Sequence, residues 1–64
     1  MDRSTLSQAY QVIEEAGPVG LSTQEMGRKL GFTKLQSRFV MKVLKNQGYV
    51  DTVAIDRGRI RIIQ

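Results

Sequence analysis

Cysteine and histidine are both absent from the 64 residues. Their absence excludes disulfide staples and the common zinc sites. It also removes the side chains most often used as nucleophile or neutral-pH base. No G-x-x-x-x-G-K-[ST] run is present to cradle a phosphate. Glu14 and Glu15 are adjacent, so on a helix they diverge and cannot form an acid/base pair. The chain is therefore expected not to be an enzyme, to need no cofactor or metal, and to take no small-molecule substrate. Aromatics are scarce, at two Phe and two Tyr. Mainly core positions are expected for them, with the hydroxyls of Tyr10 and Tyr49 at the rim, and that leaves no stacking platform for single strands. No stretch approaches the roughly 20 apolar residues that span a bilayer, and no leading apolar run marks secretion. No membrane partner and an intracellular location are the expectation.

What is present is ordinary globular composition, 41% hydrophobic, with an uneven charge. Residues 1–25 hold Arg3 against Asp2, Glu14, Glu15 and Glu25, a net of −3. Residues 26–64 hold nine basic residues against Asp51 and Asp56, a net of +7. Such a split suggests one anionic partner meeting one side. A chain this short buries a marginal core, and residues 1–64 are expected to be a single domain that is a piece of a larger protein.

The most informative stretch is TKLQSRFVMKVLKNQG, Thr33 to Gly48. Thr33 is a strong N-cap, Gln36 completes a capping box, and Gly48 supplies the stop. At about 100° per residue, Leu35, Phe39, Val40, Val43 and Leu44 share one side, which is expected to be buried. Lys34, Arg38, Met41 and Lys45 fall opposite, flanked by Ser37 and Lys42. Met41 there either covers apolar neighbours or meets a thymine methyl.

Upstream, Arg3 to Ala16 reads as a helix capped by Ser4 or Ser7, with Leu6, Ala9, Tyr10 and Ile13 at helical spacing. Gly17-Pro18-Val19-Gly20 breaks it, and Val19-Gly20-Leu21 suits a very short strand pairing with a C-terminal hairpin. Ser22 and Glu25 make a second capping box, which opens a helix edged by Met26 and Leu30 and closed by Gly31. Two short helices joined by a tight Gly-containing turn, the second of them basic, form a helix-turn-helix pattern. An αα-hairpin without a ligand has the same pattern.

Beyond Gly48 the period becomes two. Tyr49–Ile55 and Arg59–Ile63 read as paired strands around an Asp56-Arg57-Gly58 turn, with Val53, Ile55, Ile60 and Ile62 facing the helices. The expected fold is α+β: a small winged helix-turn-helix domain with three helices and a C-terminal two-stranded β-hairpin wing. Its expected core is Leu6, Ile13, Leu21, Leu30, Leu35, Phe39, Val43, Leu44, Val53 and Ile60. In that architecture the third helix enters the major groove and the wing reaches a phosphate backbone. Lys34, Ser37, Arg38, Met41, Lys42 and Lys45 on the helix, with Arg57, Arg59 and Arg61 on the wing, then become candidate contacts to double-stranded DNA.

The run GLSTQEMGRKLGFTKLQSRFVMKVLKNQGYV, followed by DRGRIR, resembles the winged helix domain in the largest subunit of transcription factor TFIIIC, the B-block-binding subunit of RNA polymerase III genes. Lys34-Leu35-Gln36-Ser37-Arg38 is similar to that family's Lys-Leu-Glu-Ala-Arg run, and Asp56–Arg59 to its Asp-x-Gly-Arg wing tip. Gln36 stands where the family has an acid, and the strand after Arg61 is apolar where the family tends to be polar. The resemblance implies a nuclear transcription complex, other subunits as partners, and the internal promoter of transfer RNA genes as target. A winged helix that joins subunits without touching DNA is the alternative.

Overall fold

A computed structural model describes residues 2–63. The order is α1 (Arg3–Ala16), a 3₁₀ turn (Gly17–Val19), β1 (Leu21–Ser22), α2 (Thr23–Leu30), α3 (Lys34–Asn46), β2 (Val50–Val53) and β3 (Asp56–Ile62). The fold is α+β, three helices against an antiparallel sheet ordered β1-β3-β2. The sheet has three strands, not the two-stranded wing alone: the short strand expected at Val19–Leu21 forms instead at Leu21–Ser22 and pairs with the far edge of β3, Leu21 opposite Ile60 and Ser22 opposite Arg59.

Local chemistry fixes the helix ends. Asp2 caps α1 by accepting from the Thr5 amide at 2.8 Å, in place of the expected Ser4 or Ser7. A carboxylate just before the first turn offers a charged acceptor to the orphan amides, which a serine does not. Ser22 and Glu25 form the expected reciprocal box at α2. Thr33 caps α3 by accepting from the Gln36 amide at 3.1 Å. Residues 31–33 lie between α2 and α3, so the two helices are separate. At the end of α3, the Gly48 amide donates to the Lys45 carbonyl and the Tyr49 amide to the Leu44 carbonyl. With φ +81° at Gly48, this is the paired-bond stop in which glycine takes the left-handed position.

Glycine is needed for a different reason at Gly20. A Cβ there would lie 2.5 Å from the Ile60 carbonyl oxygen, so only a bare backbone lets β1 approach β3.

The core comprises Ala9, Ile13, Leu21, Met26, Val40, Met41, Leu44, Val50 and Ile60, with Leu6, Leu30, Phe32 and Ile62 packed against it. Val53 is also buried. Three residues expected in the core are outside it: Leu35 is 77% exposed, Phe39 57%, and Val43 is half-buried without joining the cluster. Conversely, Ser37 and Met41, expected on the outer face, are 0% and 8% exposed. The helix is turned by about 100°, one residue position, from the expected orientation. The reason is packing against α2. Gly27 and Ser37 are small enough for the helices to approach, since a Cβ on Gly27 would stand 3.3 Å from Ser37 Oγ. Met41 is flexible enough to fill the space beneath the start of α2, where the Thr23 hydroxyl meets its sulfur at 3.3 Å.

The hairpin also differs from expectation. Its turn falls at Ala54–Ile55, and Asp56 already belongs to β3. Thr52 pairs with Ile60 and Val53 with Asp56, so residues 57–59 bulge from the ladder. Asp56 Oδ1 accepts from the Gly58 amide at 3.0 Å and curls the chain there. Ile55, expected to face the helices, is 96% exposed at the turn.

Candidate nucleic-acid interface

The exposed arc of α3 carries Lys34, Arg38, Lys42 and Lys45, and the helix contains no acidic residue. Along the axis these cations form one edge, between the buried face and the outermost line of the helix. At its N-terminal end, Lys34 lines a hollow with Thr23, Gln24, Arg28 and Phe32, so α2 adds Arg28 to the cationic edge. At its C-terminal end, Lys45 and Arg57 line one groove floored by Thr52, Val53 and Ala54. The Lys45 ammonium donates to Thr52 Oγ1 at 3.1 Å, which leans the side chain toward the hairpin. The edge thus runs from Arg28 through α3 to Arg57.

Four of the nine expected contact residues lie elsewhere or are otherwise engaged. Ser37 and Met41 are inside, as described. Arg59 is spent on its own fold. Its Nε donates to the Val19 carbonyl at 3.1 Å, and one terminal nitrogen reaches the Gly20 carbonyl at 3.2 Å and Glu25 at 2.9 Å. Its position opposite Ser22 on β3 aims it across β1. Arg61 is exposed but opposes Asp51 on the outer face of the sheet, whereas Thr52, which Lys45 reaches, is on the inner side with Ile60. Arg61 is therefore separated from the α3 edge by the sheet. Lys34, Arg38, Lys42, Lys45 and Arg57 remain as a set on one side.

Glu25 is held below the ordinary glutamate range, chiefly because its carboxylate accepts the Ser22 amide bond of the capping box, with the Arg59 charge adding to this. The same carboxylate thus ties the start of α2 to β3 through Arg59. Asp2 is likewise lowered by the Thr5 amide. Neither acid lies on the cationic edge.

The residues that sequence reasoning missed are Leu35 and Phe39. They occupy the outermost line of α3, one turn apart, with half-buried Val43 a turn further on. The signal was present: α3 carries two apolar stripes, Leu35–Phe39–Val43 and Val40–Leu44, and only one can face inward. Tyr10 and Tyr49 meet edge to face at 6.1 Å, at the other flank of α3, and Tyr49 is more exposed than a packed residue would be.

No family model, curated protein or solved structure matches this chain.

Proposed function

We propose that the chain is a winged helix module that binds duplex DNA, with α3 as the recognition helix and the β2–β3 hairpin as the wing. The observation that carries this is the cationic edge from Arg28 on α2 along the acid-free helix α3 to the hairpin, with Lys45 and Arg57 sharing one groove. A duplex presents a row of phosphates beside a groove wide enough for a helix, and such an edge can follow it. Arg38 is the side chain best suited to read a base, because its planar fork matches guanine O6 and N7. Lys34, Lys42, Lys45 and Arg57 neutralise phosphate. With the resemblance to the B-block-binding subunit of TFIIIC, this points to a binding module, not an enzyme, in a nuclear RNA polymerase III transcription complex at transfer RNA genes.

The test is duplex titration at several salt concentrations, using a transfer RNA gene promoter and a scrambled duplex. Log K should fall with log salt at about −0.9 per phosphate neutralised. Arg38→Ala should relax the preference between duplexes, and Arg57→Ala should weaken both alike and lower the slope by about one unit. Weak binding to both duplexes with no salt slope would remove the DNA reading.

A second reading, a scaffold between subunits, is favoured by one specific observation. Leu35 and Phe39 lie on the outermost line of α3, where groove edges offer few apolar partners other than thymine methyls.

A further inference from the structure

The outer line of α3 is unusual for a helix of a small domain. A single exposed leucine is ordinary on a protein surface. Here two large apolar side chains stand one turn apart, 77% and 57% exposed, and the line continues to Val43. Eight residues of helix span about 12 Å, so the three make a seam rather than isolated contacts. Arg38 and Lys42 run beside the seam, and α3 has no acid to neutralise them.

We propose that this seam docks an acidic amphipathic helix of a partner protein. A helix that lays its apolar face on another helix reads as anchors at i, i+3, i+4 and i+7. Leu35, Phe39 and Val43 offer the matching line. Carboxylates flanking those anchors would meet Arg38 and Lys42, giving register and on-rate as well as attraction. A second copy of this chain fits poorly, because α3 has no acidic residue to meet the other copy's Arg38 and Lys42. A basic partner helix fits poorly for the same reason. The inference takes up the scaffold reading and gives the partner its chemistry. It also has a consequence for the DNA reading: the partner helix covers Arg38 and Lys42, so partner and duplex compete for α3.

The test uses the whole 64-residue chain and two synthetic helical peptides with the same leucine seam, one flanked by Glu and one by Lys. Binding is measured by fluorescence anisotropy, and the contact surface by amide chemical-shift changes. The Glu-flanked peptide should bind at least about tenfold more tightly than the Lys-flanked one, with shifts centred on Leu35, Phe39 and Val43. Leu35→Ser and Phe39→Ser should each weaken it about tenfold or more. Both side chains are exposed, so the melting temperatures of these variants should match the parent. Lys42→Glu should reverse the preference between the two peptides, a readout that loss of folding cannot produce. The Glu-flanked peptide should displace a bound duplex. The proposal is overturned if the two peptides bind alike, or if the serine variants bind as the parent does. It is also overturned if the parent sediments as a dimer that Leu35→Ser dissolves, or if the serine substitutions weaken duplex binding while leaving the peptide untouched. If the parent chain binds the Glu-flanked peptide but no duplex, the DNA reading fails and this one stands.

Discussion

Replacing Ser37 by alanine should make this protein more stable. The Ser37 hydroxyl is completely buried and has no hydrogen-bond partner among the described residues. A buried polar group left unpaired costs about 1–3 kcal/mol of desolvation, and alanine removes that cost while keeping the Cβ that packs against α2. Alanine also suits a helix interior better than serine by up to about 0.5 kcal/mol. Against this stands the lost packing of one oxygen atom. The net gain is about 1–2 kcal/mol, and in a domain of this size each kcal/mol moves the melting temperature by about 4–8 °C. Thermal melts followed by circular dichroism give the shift, and urea titration should give a higher midpoint with an unchanged slope. A second substitution tests the same contact. On Gly27, alanine would place its Cβ 3.1 Å from the Phe32 carbonyl and 3.3 Å from Ser37 Oγ. Gly27→Ala should therefore be better tolerated in the Ser37→Ala background than in the parent, a favourable coupling in a double-mutant cycle. A melting temperature that falls on Ser37→Ala would refute the packing described for α3. So would unchanged stability combined with weakened duplex binding, the result expected if Ser37 faced a groove.

The orientation of α3 has a sharper consequence for its neighbours: Phe39→Ala should change stability by less than about 1 kcal/mol, whereas Met26→Ala or Leu44→Ala should cost about 2–5 kcal/mol and largely unfold the domain in a chemical melt. Thr33→Ala should lose about 1 kcal/mol, read from the same melts, because the Gln36 amide loses its cap. Arg59→Ala should lower stability by about 1–2 kcal/mol through the Val19 and Gly20 carbonyls it serves, while leaving the salt slope of duplex binding unchanged. Glu25 has a folded pKa below its ordinary 4.5, so its contribution is complete above that value and is lost as pH falls through the folded pKa. Glu25→Gln should therefore melt below the parent at neutral pH, with the gap closing as pH falls through the lowered pKa of Glu25.

Elements whose causes are local were legible in the chain. The Ser22/Glu25 box, the Thr33 cap and the Gly48 stop each involve residues within a few positions of one another, so side-chain chemistry alone sets them. Helix α1 and the three-residue connection between α2 and α3 follow from the same kind of signal. The cationic character of α3 and the hairpin was equally legible, since charge is a property of composition. The strand turn was not. Asp56-Arg57-Gly58 has good turn chemistry, but the pairing of Thr52 with Ile60 and Val53 with Asp56 turns it into a bulge.

The rotation of α3 was decided by tertiary structure alone. Leu35, Phe39 and Val43 make a more hydrophobic stripe than Ser37, Val40, Met41 and Leu44, so periodicity pointed the helix inward along the wrong line. Packing chose the second stripe because contact with α2 rewards shape: a small residue opposite Gly27 and a flexible one beneath Thr23. Arg59 was decided in the same way. Its charge was evident from the sequence, but its partners lie 34 to 40 positions away. Only the pairing of β1 with β3 brings the Val19 and Gly20 carbonyls and Glu25 within reach of its guanidinium. Local sequence thus determined where the helices start and stop and how much charge they carry. Long-range packing determined which side chains remain outside, because burial depends on the shape of what lies opposite.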